Sequence, residues 1–250
     1  MSFWKKIFLG LLLVFSIELS AYNISVLVPC IHKHAIYLHD LLNSYKEQTL
    51  LPSEIIISIS ESDKVDSKII DEIENDLWPF DLKILKTPEK KYAGENRNAA
   101  CEVALGELII LQDADDIPNA YRIEIIKYFF DKYQFDILIH AWDRPSNYAD
   151  LDERFYGEYF HKQIDLESIK VHFAKEQAEI WTNKRFFGKQ VPIHFGNCAI
   201  DKKVFESVKW SKKAKAQDVD FFDNVCKKFK TNLMITAPLV LYINKRSSWR

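Results

Sequence analysis

Short apolar runs alternate along the chain with longer stretches in which apolar residues recur every three or four positions. The runs are typical of buried strands, and the spaced pattern is typical of helices. The pattern predicts strands at 24–28, 54–59, 82–85, 108–111 and 136–141, and helices at 37–48, 63–77, 94–105 and about 117–133. Because strands and helices alternate, we expect an α/β fold with a mainly parallel sheet and helices on both faces.

The pattern changes after Trp142. Aromatic and charged residues mix from 142 to about 163, which predicts an irregular insertion near a site. Further elements are predicted as helices at 165–177, 201–208 and 216–229, and as strands within 191–200 and at 232–235 and 239–243. This second half of the chain is therefore expected to be smaller and less regular than the first.

Three carboxylates follow the strand predicted at 108–111: Asp113, Asp115 and Asp116. In a strand-like backbone, residues i and i+2 point the same way, so Asp113 and Asp115 are expected on one side. Two such charges about 6 Å apart repel by roughly 3 kcal/mol at an effective dielectric of about 20, and a cation would relieve this. Carboxylate oxygens suit Mg²⁺ or Mn²⁺, which also hold phosphates. The alternative is a helix N-terminus, with Asp116 as the cap.

Composition narrows the class of protein. The chain has 250 residues, of which 48% are hydrophobic, and a net charge of −2. It can therefore build a large core, and it carries no charge excess that would favour nucleic acid. The four cysteines, Cys30, Cys101, Cys198 and Cys226, lack metal-site spacing and are expected as buried thiols.

The N-terminus has the pattern of a targeting segment. Lys5 and Lys6 precede an apolar stretch at 7–17, and Ala21 offers a cleavage position. This predicts a signal peptide over residues 1–22, with an uncleaved anchor that attaches residues 5–21 to a membrane as the alternative. We expect a location in the secretory pathway lumen or on a membrane, with the cytoplasmic face as the other option.

Five segments in order resemble the family 2 glycosyltransferases, which have the nucleotide-diphospho-sugar transferase (GT-A) fold. They are SVLVPCIHKHAIYLHDLLNSYKEQT at 25–49, PSEIIISISESD at 52–63, YAGENRNAACEVALGELIILQDADD at 92–116, HFGNCAIDKKVFESV at 194–208 and KAQDVDFFDNVCKKF at 215–229. The resemblance spans roughly residues 23–243. It implies one Rossmann-like domain over 23–250, with a nucleotide-sugar half at 23–141 and an acceptor half at 142–250.

The resemblance also implies roles for single residues. Asp115 would bind a divalent ion, Mn²⁺ or Mg²⁺, that bridges the donor diphosphate. Asp113 would hold the ribose or a water bound to the metal ion. Asp218 would be the general base. The remaining donor-binding residues implied by the motifs are Pro29, Glu61, Asp63, Arg97 and Asn98.

The implied activity is an inverting, metal-dependent transfer of a hexosyl or N-acetylhexosaminyl group. The expected donor is a UDP-sugar, and the acceptor is a hydroxyl of a glycan, protein or lipid. A carboxylate can take the proton of that hydroxyl, and a metal can stabilise the leaving nucleoside diphosphate. No nucleic acid partner is expected.

Departures from the family pattern keep alternatives open. Gln217 replaces the first acid of the family's Glu-Asp pair, with Asp220 as a fallback, and 242–246 lacks the histidine that meets the metal in many members. These departures motivate a degenerate binding module as an alternative. A nucleotidyltransferase is less favoured, because residues 29–34 contain no glycine for a phosphate loop.

Local alternatives also stay open. Arg97 could pair with Glu95 or Glu102, and Asp218 could be a helix N-cap. His32 and His34 are expected as unpaired surface histidines rather than nucleotide contacts.

Overall fold

The structure is a computed structural model that describes residues 23–143, 153–174 and 195–243. The predicted signal segment at 1–22 and the residues at 244–246 lie outside these ranges. Within them, every helix is too short or too polar to cross a membrane.

Nine strands in the described residues form one sheet in the order β3-β2-β1-β4-β8-β6-β9-β5, and β7 pairs with β9. Their bounds are β1 Ile24–Ile31, β2 Glu54–Ser60, β3 Asp81–Thr87, β4 Leu108–Leu111, β5 Ile117–Pro118, β6 Ile137–Asp143, β7 Val171–Ala174, β8 Cys198–Asp201 and β9 Asn232–Leu241. Strands β1 to β4, β6 and β9 run one way, and the short β5, β7 and β8 run antiparallel to them. The predicted mainly parallel α/β fold is confirmed.

Helices cover both faces of this sheet. They are α1 Leu38–Lys46, α2 Ser67–Asn75, α3 Ala93–Val103, α4 Arg122–Tyr133, α5 Glu153–Phe160, α6 Lys202–Ser207 and α7 Gln217–Lys228. Alternate strand residues face opposite sides. Val28 and Ile110 therefore pack with α1, α2 and α4, whereas Leu27 and Ile109 pack with α3, α6 and α7.

The region after 165 differs from the prediction. A helix was predicted at 165–177, but a short 3₁₀ turn at Leu166–Ser168 leads into β7 instead. Residues 169–173 alternate apolar and polar side chains, and β9 offers them an edge to pair with. The two late strands are one strand, β9, since Thr236 bonds Lys170 and keeps the backbone extended between them.

Strand β1 also runs further than predicted, through Pro29 to Ile31. Proline has no N–H to give to a second neighbour, and it is tolerated where one side of a strand is unpaired. Strand β4 pairs with β1 only as far as Leu27, so β1 has β2 alone beside it at Pro29. The carboxyl ends of β1, β2 and β4 thus meet at one edge of the sheet, where ligands of such folds bind.

Candidate active site

The acidic segment after β4 is a turn and not a continuation of the strand. The Asp116 N–H bonds the Asp113 carbonyl at 3.3 Å, and buried Gln112 closes the turn. Its Nε2 donates to the carbonyl oxygens of Asp113 and Asp116, at 2.8 and 3.1 Å. The strand argument for Asp113 and Asp115 was therefore wrong, and their carboxylates contact different neighbours: Arg97 and His34.

A fully buried arginine, Arg122, supports this turn from beneath. Its guanidinium donates to the Leu111 carbonyl (2.7 Å), Gly196 carbonyl (2.8 Å), Tyr45 hydroxyl (3.1 Å), Gln112 Oε1 and His140 Nε2 (3.2 Å). Because His140 accepts at Nε2, its proton is on Nδ1, which donates to the Ala141 carbonyl at 2.6 Å. The turn therefore rests on a buried positive charge, and the sequence pattern gave no sign of it.

Asp116 does not cap a helix as predicted. Helix α4 begins only at Arg122, because the intervening Ile117–Pro118 forms β5. Asp116 is buried, and its Oδ1 accepts from the Ile243 N–H at 3.0 Å. Burial, together with the charges of Asp115 and Asp113, raises the pKa of Asp116 well above its usual range.

Arg97 connects the acidic turn to α7. Its NH2 lies 3.0 Å from Asp113 Oδ1, and its NH1 lies 3.5 Å from Asp218 Oδ1. The Arg97 side chain is 5% exposed, against 23% for Asp113 and 29% for Asp218, so the cation lies below two partly open carboxylates. Glu95, which the sequence offered as a partner of Arg97, accepts a hydrogen bond from the Tyr92 N–H at the start of α3.

One face of α3 also holds the segment that leads into α7. The Gly94 N–H bonds Gln217 Oε1 at 2.6 Å. The Asn98 amide bonds the Trp210 backbone twice, at 2.9 and 3.0 Å. Asn98 thus supports this segment, and its predicted role toward the donor stays a prediction.

Asp218 lies in the first turn of α7 and is not its N-cap. The cap is Ala216, whose φ of 59° is left-handed. Negative charge is favourable at this helix end. The fallback residue Asp220 is paired elsewhere: hydrogen bonds from Lys213 (2.7 Å) and Ser211 (3.1 Å) lower its pKa. Of these two carboxylates, Asp218 is the one that contacts Arg97.

The carboxyl end of β2 carries the residues expected at the nucleoside. Glu61 has a left-handed φ of 54°, and a hydrogen bond from Lys64 lowers its pKa. Its Oε2 lies 3.4 Å from His32 Nδ1. Asp63 is exposed in the next turn, and Pro29 is buried in β1. These residues lie at the edge of the sheet where β1 and β2 end.

Both histidines after β1 were predicted wrongly. His34 is 2% exposed, with Nδ1 3.7 Å from Asp115 Oδ1, and His32 contacts Glu61. The spacing of the two histidines in the sequence does not show that they are buried or paired. The available signal was that β1 and β4 were both expected in one sheet, so that residues beyond each strand could meet at its edge.

Residues 25–207 match the sequence profile of glycosyl transferase family 2. The chain belongs to this family. The resemblance recognised in the sequence is thereby confirmed, and Arg97, Asp113 and Asp115 lie within the matched segment.

Similar proteins agree with this family 2 assignment. An uncharacterized glycosyltransferase of Methanocaldococcus jannaschii is 26% identical over 202 residues, covering 80% of this chain and 63% of that protein. The crystal structure of S. aureus TarS 1–349 has a TM-score of 0.63 and 17% identity, over 88% of this chain and 60% of the other. The form in complex with UDP-GlcNAc has a TM-score of 0.63 and 17% identity, over 88% and 58%. These likenesses confirm the GT-A fold, and this chain spans about 60% of the length of these relatives.

The family implies a divalent metal, and the donor types at the turn fit one. Asp113 and Asp115 supply hard oxygens of the kind that Mg²⁺ and Mn²⁺ prefer. Arg97 already offsets the charge of Asp113, whereas Asp115 Oδ1 lies 3.7 Å from His34 Nδ1. The described residues contain no preformed group of three or more His, Cys, Asp or Glu ligands.

Proposed function

We propose that this protein transfers a sugar from a nucleoside-diphospho-sugar to an acceptor hydroxyl. The observation that carries the proposal is the Arg97 contact with both Asp113 and Asp218, 105 residues apart in the chain, in a family 2 glycosyltransferase fold. A carboxylate from the donor turn and a carboxylate on a helix N-terminus then face one site at the carboxyl edge of the sheet. Such a transfer needs a group that helps to bind the donor and a base for the acceptor hydroxyl, and these two carboxylates would supply them.

The proposed donor is a UDP-sugar with a hexosyl or N-acetylhexosaminyl group. Support comes from the TarS fold, whose crystal structures include complexes with UDP-GlcNAc and with UDP. Pro29, Glu61 and His32 would surround the nucleoside at the ends of β1 and β2. The acceptor is proposed as a hydroxyl of a glycan, protein or lipid.

The proposed mechanism is a direct, inverting displacement. Asp218 takes the proton of the acceptor hydroxyl as the oxygen attacks the anomeric carbon. Arg97 contacts Asp218 and Asp113 through its two terminal nitrogens and holds both carboxylates in position. Asp115, with Asp113, would hold Mn²⁺ or Mg²⁺, which stabilises the charge of the departing diphosphate when bound.

Two variants test the proposal. Asp218→Asn removes the base without changing shape, so we expect kcat to fall by about 10²–10⁴-fold while UDP binding is retained. Asp115→Asn should weaken Mn²⁺-dependent UDP binding in calorimetry. Asp220→Asn is the matched control on the same helix and should retain activity within a fewfold. Failure of the wild-type chain to bind UDP or a UDP-sugar with Mn²⁺ would contradict the proposal.

A binding module without turnover is the second candidate, favoured by Gln217 in place of the family's acid. The contact of Gln217 with Gly94 gives this residue a structural reason, which weakens the argument for lost catalysis. Calorimetry separates the two functions. Tight UDP binding without transfer or hydrolysis across a panel of donors and acceptors would favour the module.

A further inference from the structure

The carboxylate of Asp115 faces a histidine. His34 Nδ1 lies 3.7 Å from Asp115 Oδ1, which is longer than a hydrogen bond of good geometry. The His34 side chain is 2% exposed and that of Asp115 is 7% exposed. The two atoms are therefore held close together in a largely buried position, but too far apart for a direct hydrogen bond.

The pair forms where two neighbouring strands end. Strand β4 pairs with β1 as far as Leu27, and the Gln112 N–H bonds the Leu27 carbonyl at 3.0 Å. Strand β1 continues to Ile31 and leads directly into a 3₁₀ turn, His32–Tyr37, in which His34 is buried. The segment after each strand thus contributes one side chain. Because the carboxyl ends of parallel strands are where ligands bind in such sheets, the pair lies at a ligand-binding edge.

The distance within the pair fits two ligands of one ion. Mg²⁺ has octahedral coordination with ligands at about 2.0–2.1 Å. Two such ligands lie roughly 3.0 Å apart when they are at a right angle, and roughly 4.2 Å apart on opposite sides of the ion. The 3.7 Å between His34 Nδ1 and Asp115 Oδ1 lies between these limits. Neutral imidazole is also the commonest metal ligand among side chains.

The electrostatics of the turn favour this side of it. Asp113 Oδ1 accepts from Arg97 at 3.0 Å, and Arg97 also contacts Asp218. A metal ion bound directly to Asp113 would therefore lie beside a guanidinium and would be repelled by it. The imidazole beside Asp115 is neutral unless it is protonated. Asp113 would then act on the ion through a bound water, as the family resemblance allows.

We propose that His34 Nδ1 is a direct ligand of the divalent ion that Asp115 holds. The inference rests on the proposed glycosyl transfer, which brings a diphosphate to this ion. Two protein ligands suffice, because Mg²⁺ at phosphate sites is bound by one or two side chains and completes its shell with phosphate oxygens and water. The segment after β1 would then serve both the nucleoside, through His32, and the ion, through His34.

A nitrogen ligand changes which ion the site prefers. Mg²⁺ is bound by oxygen ligands, whereas imidazole favours first-row transition metals. We expect the UDP complex to bind Mn²⁺ about tenfold more tightly than Mg²⁺, or better. His34→Asn replaces the ring with an amide near the position of Nδ1. It should weaken Mn²⁺ binding by about tenfold or more and change Mg²⁺ binding by less than about threefold.

His39→Asn is the matched control. His39 lies on α1, its side chain is 43% exposed, and it contacts Asp76 at 3.5 Å. It is outside the residues proposed for the donor and the ion, so its binding of Mn²⁺ and UDP should match that of the wild type. Thermal unfolding checks that His34→Asn is folded, and His34→Gln is the second variant if it is not.

The test uses the full chain grown with ¹⁵N-labelled histidine, Mn²⁺ as the probe, and pulsed EPR with and without UDP. A histidine nitrogen bound to Mn²⁺ gives a strong ¹⁵N hyperfine coupling, whereas a histidine that only supports Asp115 from behind does not. We expect this coupling in the wild type and in His39→Asn, and its loss in the His34 variant. Calorimetry of Mn²⁺ and Mg²⁺ binding to the UDP complex measures the two affinities.

The outcomes separate this inference from the proposed function. A wild-type chain that binds Mn²⁺ and UDP without a histidine coupling would overturn the inference and leave the function standing. A coupling that persists in a folded His34 variant, or a wild type that binds no Mn²⁺ with or without UDP, would also overturn it. A histidine coupling in a chain that binds neither UDP nor a UDP-sugar would instead refute the proposed function and keep the metal site.

Discussion

Arg97 is the residue through which the acidic turn and α7 act as one unit. Its two terminal nitrogens contact one carboxylate each, at 3.0 and 3.5 Å. A guanidinium can do this because it is a planar fork with several donors, which an ammonium cannot reproduce. The spacing of the partners therefore depends on arginine and not only on positive charge.

We predict that Arg97→Lys keeps most of the stability but lowers kcat/KM by at least tenfold, since one ammonium cannot hold both carboxylates. Arg97→Met should be worse, and should also lower the free energy of unfolding by about 1–3 kcal/mol, because charged hydrogen bonds are lost. Steady-state kinetics and urea unfolding measure the two effects. Equal activity of Arg97→Lys and wild type would contradict this role.

Single residues also show where local pattern fails. The family resemblance predicted Asp113, Arg97 and Asp218 as site residues from the order of the motifs, and the structure brings their side chains together. Asp116 and His34 were misjudged, since capping and exposure depend on what packs above them: Ile243 and Asp115 respectively. Their chemistry was visible in the sequence, but their burial was not.

At the scale of elements, the junction of α3 and α7 orients the proposed base. A Cβ on Gly94 would lie 2.3 Å from Gln217 Oε1 and 2.9 Å from the Ser211 carbonyl, so only glycine allows this approach. The contact explains why a neutral amide at position 217 is compatible with the fold. A glutamate oxygen could accept the same N–H.

We therefore predict that Gln217→Glu is close to wild type, whereas Gln217→Leu lowers kcat by about tenfold. The leucine leaves the Gly94 N–H without its partner, which costs about 1 kcal/mol of folding free energy. The donor KM should change little in both variants, because neither touches the donor turn. A rise in KM with constant kcat would show that Gln217 acts on binding instead.

Ala216 begins α7 with a left-handed backbone, φ 59° and ψ 14°. This conformation costs an L-residue about 1–2 kcal/mol, whereas glycine adopts it freely. Ala216→Gly should therefore raise the free energy of unfolding by about 0.5–1 kcal/mol. Ala214→Gly is the control. Ala214 does not have a positive φ, so this substitution should not raise the free energy of unfolding. Urea denaturation measures both, and destabilisation by Ala216→Gly would contradict the argument.

At the scale of the whole molecule, the raised pKa of Asp116 links stability to pH. Its folded-state pKa lies well above the ordinary value of an aspartate, so the folded state binds the proton more tightly than the unfolded state does. The bound proton therefore contributes to the free energy of unfolding. This contribution is fully present below the pKa of Asp116 in the unfolded state and is lost as the pH rises through its pKa in the folded state, with a slope of at most about 1.4 kcal/mol per pH unit. We predict that Asp116→Asn flattens this fall.

The measurement is urea unfolding of wild type and Asp116→Asn from pH 4.5 to 8 with a chelator present. The stability difference should move in favour of the variant as the pH rises. A constant difference across this range would mean that Asp116 titrates normally in the folded protein.

The whole fold was predictable only in part. Periodicity identified the order of the strands and helices along the chain, because each buried face repeats at its own spacing. It could not give the order across the sheet, where Ile109 pairs with Ile200 and Ile139 with Cys198. Such pairings depend on packing between distant segments. Strand β7 was not predicted for the same reason, since it forms by pairing with β9.

The position of β8 has a consequence for synthesis of the chain. Strand β8 alone separates β4 from β6 in the sheet, but it begins at Cys198, long after β4 ends at Leu111. At about 5–20 residues per second, a ribosome needs roughly 4–17 s to cover that interval. During this time the nascent chain carries an apolar strand with one open edge, which is the kind of surface that chaperones bind and that aggregates. Slow translation between these two strands should therefore lower the yield of folded protein.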